Sequence, residues 1–315
     1  MGYFLFRRVT GLILTLISVS IVVFVSMNVL PGDPALNILG LDSTEDARAA
    51  LREQLGLDKP MVGQYFSWIF NALQGDFGVS YSYGVPVSEL IGERLSLTIS
   101  LALSGMALTT ILALVLGITA ASSHKRPGDW GVMLASQFGI AIPAFWLSML
   151  LVLLFAVKLR WLPPGGFPGW DEPLLAMRSL ILPTVALALV QSAVLARVTR
   201  SSALEVIRLD YVRTARAAGF SRRRILWRHV LPNALIPIVT IVGLQFAALV
   251  SGTIVIENVF YLPGLGRLIF QSISNRDLFT VQALVMMFAL IVVLANFLVD
   301  IAYVLIDPRL KGQGN

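Results

Sequence analysis

Six long stretches without a single Asp, Glu, Lys or Arg constrain this chain more than any other feature of its sequence. A helix needs about 20 apolar residues to cross the ~30 Å hydrocarbon core of a bilayer, and these stretches meet or approach that length. Because unpaired backbone groups in lipid cost several kcal/mol each, every stretch is expected to be helical. The sequence therefore predicts an all-α, polytopic membrane protein with six transmembrane helices. The stretches are Val9–Leu30, Leu95–Ala121, Gly131–Val157, Ser179–Ala196, Val230–Ile256 and Leu278–Val299.

The composition supports a membrane protein over a soluble one. The chain has 315 residues, of which 57% are hydrophobic and 13% charged. Soluble domains are about 45–50% apolar and about 25% charged. The net charge is +6, but a chain this apolar rarely presents a soluble basic face to nucleic acid. We therefore expect no nucleic-acid partner. Membrane lipid is the expected partner instead.

The Lys and Arg residues are distributed unevenly between the segments that join these stretches. If the helices alternate from a cytoplasmic N-terminus, 15 of the 24 Lys and Arg residues fall in inner segments and 9 in outer segments. Basic residues favour the cytoplasmic side of a membrane protein. The pattern predicts that both termini are cytoplasmic, that segment 197–229 with its nine arginines lies inside, and that segment 31–94 lies outside.

The predicted external segment 31–94 has patterns for short helices rather than for a separate domain, so residues 1–315 are expected to form one transmembrane domain. Ser43-Thr44-Glu45-Asp46 can cap a helix that runs to Leu55, and Gly56 can end it. Met61–Leu73 is rich in aromatic residues, as are helices at a membrane interface. The segment either docks an external partner or anchors the protein at the interface.

Residue patterns for catalysis are absent from the sequence. There is no Gly-x-x-x-x-Gly-Lys-Ser/Thr phosphate loop, no Gly-x-Ser-x-Gly elbow and no His-Glu-x-x-His helix. The only histidines, His124 and His229, are far apart in sequence, and without cysteine they form no convincing Zn site. We therefore expect no enzyme, no catalytic residue, and no metal or cofactor bound by this chain.

The segment Glu205–Pro232 carries the richest pattern in the chain. Four of its residues recur at spacings of four, four and three, which places them on one helical face. They are Ile207, Tyr211, Ala215 and Ala218. Arg213 and Arg216 form a separate basic stripe, while Gly219 is placed to end the helix and Ser221 to cap the next one. The pattern predicts an amphipathic helix, a tight turn and a second helix; the alternative is an arginine-rich loop bound to anionic lipid headgroups.

Part of this segment resembles the cytoplasmic EAA loop of bacterial ABC importer permeases. That loop reads Glu-Ala-Ala, three residues, Gly, nine residues, then Ile-x-Leu-Pro. The chain keeps Ala215, Gly219 and Leu231-Pro232 at the expected spacing. The positions that depart from the pattern are Arg213, Thr214 and His229. These departures resemble the dipeptide/oligopeptide B-type permease subunits, whose loop reads Asp-Tyr-x-Arg-Thr-Ala-Arg-Ala-x-Gly and matches Asp210–Gly219 nearly residue for residue.

Further matches to the same branch follow one another along the chain, so the resemblance covers essentially all of it. They are Pro31-Gly32-Asp33-Pro34, Leu55-Gly56-Leu57-Asp58-Lys59-Pro60, Gln74-Gly75-Asp76-Phe77-Gly78, Pro263-Gly264-Leu265-Gly266-Arg267 and Asp307-Pro308-Arg309.

The resemblance implies a loop that docks on a separate ATPase subunit. Its predicted members are Asp210, Tyr211, Arg213, Thr214, Ala215, Arg216, Ala218 and Gly219. Tyr211, Ala215 and Ala218 would form the face that enters a groove of the ATPase, and the two arginines would pair with its acids.

The same resemblance implies a multi-pass protein of the bacterial inner membrane that works in a complex. Its partners would be a second homologous six-helix subunit, two ATP-binding subunits that use ATP and Mg, and an external substrate-binding protein. The solute would be a di- or oligopeptide, or else a nickel chelate, glutathione or an opine. A proton-coupled carrier is the less favoured alternative, because it would want more than Asp300, the one acid expected within the last helix, directly after the stretch Leu278–Val299.

Overall fold

In the computed structural model the protein is described over residues 2–29, 34–40, 43–54, 56 and 58–306. These residues form thirteen α-helices, two π-helical segments and no strand apart from an isolated antiparallel bridge between Val79 and Pro86. The predicted all-α class is therefore confirmed. In chain order the helices are α1 (Gly2–Val29), α2 (Pro34–Leu39), α3 (Glu45–Gln54), α4 (Met61–Leu73), α5 (Val87–Ser122), α6 (Pro127–Ala141), α7 (Ala144–Leu151), α8 (Pro173–Ile207), α9 (Asp210–Ala217), α10 (Arg222–Ile225), α11 (Leu231–Val259), α12 (Leu265–Ser274) and α13 (Leu278–Ile306), with π-helical segments at Val152–Lys158 and Leu226–Val230.

Five regions of helix are long and apolar enough to cross a membrane, and a bent helix pair makes a sixth candidate. The five contain α1, α5, α8, α11 and α13, and the pair contains α6 and α7. Six predicted spans thus agree with the structure when the bent pair counts as one. The predicted orientation of the termini remains a prediction.

The third predicted span differs from a straight helix. Helix α6 ends before Ile142, whose backbone is extended at φ −84° and ψ 123°, and the pair is bent by 105° at this break. The cause is Pro143, which lacks an N–H and disfavours helical backbone at the residue before it. Pro183 and Pro237, in contrast, lie inside α8 and α11, which continue through them.

One compact unit comprises Thr98–Pro263 and the chain from Leu294 onward. Within it α5, α8, α9 and α11 share a core of small and aliphatic side chains. A Cβ added at Gly117 of α5 would lie 2.5 Å from Cβ of Thr199 and 2.8 Å from the carbonyl oxygen of Ala196, both on α8. Such close approach through small residues is typical of helices that associate in lipid. Buried members of this core include Ala113, Ile118, Leu195, Ala203, Val230 and Ile238.

The second compact unit comprises Gly2–Leu97 and Gly264–Val293. In it α4 packs along α1: Trp68 stacks on Phe24 with ring centroids 6.0 Å apart, and the hydroxyl groups of Ser20 and Tyr65 lie 2.8 Å apart. The bounds of α4 match the predicted helix Met61–Leu73. Its position at a membrane interface and its docking of a partner stay alternative predictions.

Asp277 fixes the start of α13 within this unit. It is fully buried, and its carboxylate accepts hydrogen bonds from the hydroxyl of Ser80 and from the backbone N–H groups of Ser82 and Thr280, the last two at 3.3 Å. The side chain therefore caps α13 and ties it to the turn at residues 79–86. The sequence reasoning assigned no role to Asp277.

The remaining predictions for the ends of elements are met in part. Helix α3 begins at Glu45 with the hydroxyl of Thr44 accepting from the N–H of Ala47 at 3.4 Å, and Gly56 adopts a left-handed φ of +67° as a helix terminator does. The predicted end at Leu55, residues 31–33, residues 307–309 and the side chain of Asp300 lie outside the described residues.

Candidate functional site

The segment between α8 and α11 folds as the sequence predicts. Helix α8 ends at Ile207, Leu209 is extended, α9 runs from Asp210 to Ala217, and α10 leads through a π-helical turn into α11. The amphipathic helix, the tight turn and the second helix are thus all present. We call residues 208–221, with α9 at their centre, the coupling segment.

A Schellman motif ends α9. Gly219 has a left-handed φ of +79°. Its N–H donates to the carbonyl oxygen of Arg216 at 3.1 Å, and the N–H of Phe220 donates to the carbonyl oxygen of Ala215 at 3.3 Å. These two bonds satisfy carbonyl groups that a helix end would leave unpaired. The hydroxyl of Ser221 accepts from the N–H of Arg224 at 3.4 Å and caps α10. The predicted roles of Gly219 and Ser221 in the turn are therefore confirmed.

The buried face of α9 differs from the expected one. Val212 is fully buried and Ala215 nearly so, and both belong to the core that α5, α8 and α11 share. Ala215 thus packs inside the chain rather than at its surface, and its predicted contact with an ATPase groove stays a prediction. Val212 was missed, although its spacing of three from Ala215 is also helical and it is the more apolar residue.

The opposite face of α9 is exposed and polar. Arg213 Nη1 lies 3.1 Å from Asp210 Oδ1, with side chains 71% and 91% exposed, so this ion pair adds little stability. The hydroxyl of Thr214 donates to the carbonyl oxygen of Asp210 at 3.1 Å. Arg216 and Ala218 are exposed as well. Seven of the eight predicted docking residues, all except Ala215, therefore lie at the surface.

Tyr211 lies between the two faces. It is 42% exposed, and its hydroxyl donates to the carbonyl oxygen of His229 in a long contact of 3.5 Å. Partial burial raises the pKa of the phenol above its usual value, so the hydroxyl stays protonated. Tyr211 thus connects α9 to the π-helical turn that precedes α11.

Three stacked side chains support the far side of the turn. The ring of Phe220 stacks on the imidazole of His229 with centroids 5.8 Å apart and 17° between planes. The guanidinium group of Arg224 lies 4.6 Å from the centroid of Phe220, within range of a cation–π interaction. Arg224, although exposed, thus stabilises the turn through its contact with Phe220.

A largely buried ion pair holds α8 seven residues before its end at Ile207. Arg200 binds Asp129 with both ends of its fork, Nε to Oδ1 at 2.5 Å and Nη2 to Oδ2 at 2.7 Å. His124 Nδ1 and the N–H of Lys125 lie 3.2 and 3.0 Å from Oδ2. Such bidentate geometry fixes the two partners in orientation as well as distance. The sequence reasoning used Arg200 only as part of the positive charge and did not foresee the pair.

No group of three His, Cys, Asp or Glu side chains in the described part of the chain is arranged to hold a metal ion. The coupling segment instead combines a buried face with an exposed, charged one. Its inner face is fixed in the core, its two ends are held by hydrogen bonds, and its outer face presents charge. With its helices long enough to span a membrane, the chain has the architecture of a polytopic membrane protein.

The sequence matches known families along nearly its whole length. Residues 113–312 match the family described as binding-protein-dependent transport system inner membrane component, and residues 1–102 match the N-terminal region of such membrane components. The chain belongs to this family of ABC importer permeases, and it is a multi-pass membrane protein.

Two relatives cover almost the full chain. A protein of Brucella abortus (strain 2308), provisionally named a peptide transport system permease protein, is 44% identical over 306 residues, which are 97% of this chain and 98% of the relative. The glutathione transport system permease protein GsiC of Escherichia coli (strain K12) is 41% identical over 308 residues, 98% of each chain. The family predicted from the sequence is therefore confirmed, and the relatives are named as permeases.

A solved structure shares the fold. A chain of the inward-facing MetNI methionine ABC transporter aligns with a TM-score of 0.57 at 18% identity, covering 69% of this chain and 96% of that one. At this identity the likeness extends to the fold alone. The predicted fold class of an importer membrane subunit is thereby supported from the structural side.

Proposed function

We propose that this permease imports peptides or small peptide-like solutes, and that the coupling segment receives the motion of a separate ATPase. The observation that carries the proposal is the two-sided α9: Val212 and Ala215 are fixed in the core, while Arg213 and Arg216 are exposed. A helix of this kind can bind a partner without unfolding and pass a displacement to the helices behind it.

The path of that displacement follows from the packing. Because cores are close-packed, a rigid helix that moves must carry its core neighbours with it. Val212 and Ala215 belong to the same core as residues of α5, α8 and α11, three of the candidate spans. Closure of the ATPase would thus tilt these spans and alternate which side of the membrane the pathway opens to.

The complex would have the composition usual for its family. A second homologous permease subunit would complete the pathway, and two ATPase subunits would bind ATP and Mg, so this chain needs neither. An external protein would deliver the solute. In this arrangement the coupling segment and both termini lie on the cytoplasmic side of the bacterial inner membrane, in agreement with the excess of Lys and Arg there.

The solute class rests on the relatives. One is provisionally named for peptide transport and another for glutathione, itself a small γ-linked peptide. Peptides are therefore the first candidate, and glutathione is the second. Ligand binding by the cognate external protein, measured by calorimetry with dipeptides, oligopeptides and glutathione, separates the two.

The docking proposal is tested by reversing charge on α9. The double variant Arg213→Glu/Arg216→Glu changes exposed side chains, so the chain is expected to reach the membrane in normal amounts and to unfold at the normal temperature. ATP-dependent uptake into proteoliposomes that contain the whole complex should fall at least tenfold. Arg126→Glu, an exposed arginine on the same predicted side, is the matched control and should leave uptake unchanged.

Two results would contradict the proposal. Normal uptake in the double variant would remove α9 from the docking surface. Uptake without ATP, driven by a proton gradient and lost in Asp300→Asn, would replace the importer mechanism with a proton-coupled carrier.

A further inference from the structure

A cavity of about 230 Å³ lies within the unit that comprises Gly2–Leu97 and Gly264–Val293. Its walls are the last turns of α1, one face of α4, the turn at residues 76–81 and the first turns of α13. At about 30 Å³ per water molecule, the space would hold roughly eight waters. A ligand on the order of ten non-hydrogen atoms therefore matches it.

Gln282 of α13 is a buried polar side chain on this wall. It is only 7% exposed, and its amide forms no hydrogen bond with any residue in the described part of the chain. Buried polar side chains nearly always have a partner, since leaving one unpaired costs free energy. The unpaired amide, which carries two donors and an acceptor, indicates that a molecule in the cavity completes its hydrogen bonds.

Two opposite charges lie on the same wall. The side chain of Lys59 extends over Gly56, where a Cβ would lie 3.7 Å from Nζ, and its ammonium group forms no ion pair with the residues that the structure describes. The carboxylate of Asp76 accepts from the N–H of Gly78 at 2.9 Å through Oδ1, which leaves Oδ2 to accept from another donor. Lys59 and Asp76 do not pair with each other, so each can receive an opposite charge from a ligand.

Four aromatic side chains of the wall are held in place by one another. Trp68 stacks on Phe24 at 27° between planes, and Tyr81 contacts the ring of Phe279 edge to face at 5.0 Å. A Cβ at Gly78 would lie 3.5 Å from the ring of Phe279, so the backbone of the turn packs directly on this ring. These rings offer an apolar surface to a small aliphatic side chain.

We propose that this cavity binds a small zwitterion, an amino acid or a dipeptide, directly to the permease. Its carboxylate would accept from Lys59 and from the amide of Gln282, and its ammonium group would donate to Asp76. A simple anion would meet the charge of Asp76, and a simple cation that of Lys59, so only a ligand with both charges satisfies the wall. The site belongs to this chain alone and does not depend on how the coupling segment works.

The experiment measures binding to the purified full-length chain in lipid nanodiscs, without ATPase or external binding protein. Equilibrium dialysis compares L-alanyl-L-alanine with N-acetyl-L-alanine, which lacks the ammonium group, and with L-alaninamide, which lacks the carboxylate. The dipeptide should bind saturably. Each of the other two should bind about tenfold more weakly or worse, because each loses a hydrogen bond between charged groups.

Variants locate the binding. Lys59→Met should weaken it about tenfold or more, and Gln282→Leu about three- to tenfold, while the unfolding temperature of Gln282→Leu stays the same or rises because an unpaired amide is removed. Gln245→Leu is the matched control: Gln245 is also 7% exposed and its Oε1 also has no partner among the described residues, but it lies in the other unit, where its Nε2 donates to the carbonyl oxygen of Gln191 at 3.2 Å. This variant should bind the dipeptide as the parent chain does.

The proposal is overturned if L-alanyl-L-alanine shows no saturable binding at millimolar concentration, since the cavity then holds only water. Equal binding of all three compounds, or full affinity in both Gln282→Leu and Lys59→Met, would also overturn it. None of these results bears on ATP-dependent uptake by the complex, so this proposal and the docking proposal fail separately.

Discussion

Replacement of Gly219 tests whether the left-handed turn sets the geometry of the coupling segment. A Cβ at this position would meet no atom within 4 Å, so no steric clash contributes. The cost of Gly219→Ala is therefore that of the backbone at φ +79°, about 1–2 kcal/mol for a residue other than glycine. Since 1.4 kcal/mol is a factor of ten in an equilibrium constant, the turn should open about 5–30 times more often. Gly219→Asn should cost less, because asparagine visits this conformation more readily.

The assay is hydrogen exchange of peptides covering residues 210–221 in nanodiscs, together with ATP-dependent uptake by the complex. The amides of Gly219 and Phe220 donate the two bonds of the Schellman motif, so they should exchange faster in Gly219→Ala by the factor above. Uptake should decrease in the order Gly, Asn, Ala. Gly84→Ala is the matched control, because Gly84 has a φ of +67° and an equally open surrounding but lies in the other unit.

Two outcomes would refute this reasoning. If Gly219→Ala exchanges at the parent rate, the left-handed backbone does not limit the turn. If asparagine is as harmful as alanine, the effect comes from the side chain rather than from the backbone. Gly219→Asp adds only a charge to the asparagine variant, so a difference between those two measures the electrostatic part.

Three further substitutions probe the elements around the site. Arg200→Leu leaves Asp129 buried without its bidentate partner and should lower the free energy of unfolding by about 3 kcal/mol, measured as a lower unfolding temperature in detergent. The double variant Arg200→Leu/Asp129→Leu should recover most of this loss. Val212→Ala removes two methyl groups from a fully buried position and should lower the stability of α9 by about 2 kcal/mol, detected as faster hydrogen exchange throughout this helix. An unchanged exchange rate would contradict the packing of α9 on the core. Asp277→Ala removes the cap of α13 and the partner of Ser80, so the free energy of unfolding should fall by about 2 kcal/mol and limited proteolysis should cleave within residues 79–86. If the variant resists the protease as well as the parent chain does, Asp277 does not hold this turn.

Local rules explain why much of the coupling segment could be predicted. The turn at Gly219 depends on the backbone freedom of one residue, and the cap at Ser221 on a hydroxyl three residues from its donor. Both interactions are settled within a few residues of sequence. The face of α9 that is buried could not be predicted in this way. Ala215 has helical spacing both to Tyr211, four residues before it, and to Val212, three residues before it. The choice between them depends on the apolar core beneath the helix, which periodicity does not describe.

Prolines illustrate the same division within the spans. Pro143, Pro183 and Pro237 each lie within one of the six apolar stretches. Only at Pro143 does the helix break, while α8 and α11 continue through the other two. A proline removes the same hydrogen bond everywhere, so the difference lies in whether neighbouring groups compensate for it.

The sequence alone determined that this chain is a helical membrane protein, where its spans lie and which family it resembles. It could do so because the cost of placing charge in lipid depends on each stretch by itself, and because a family motif is a property of residue order. Only the tertiary structure decided the inner face of α9, the Arg200–Asp129 pair across 71 positions of sequence, and the unpaired Gln282 beside Lys59 and Asp76. Each of these depends on which side chain lies opposite another in space, and the free energy of a buried group is set by that neighbour rather than by its place in the chain.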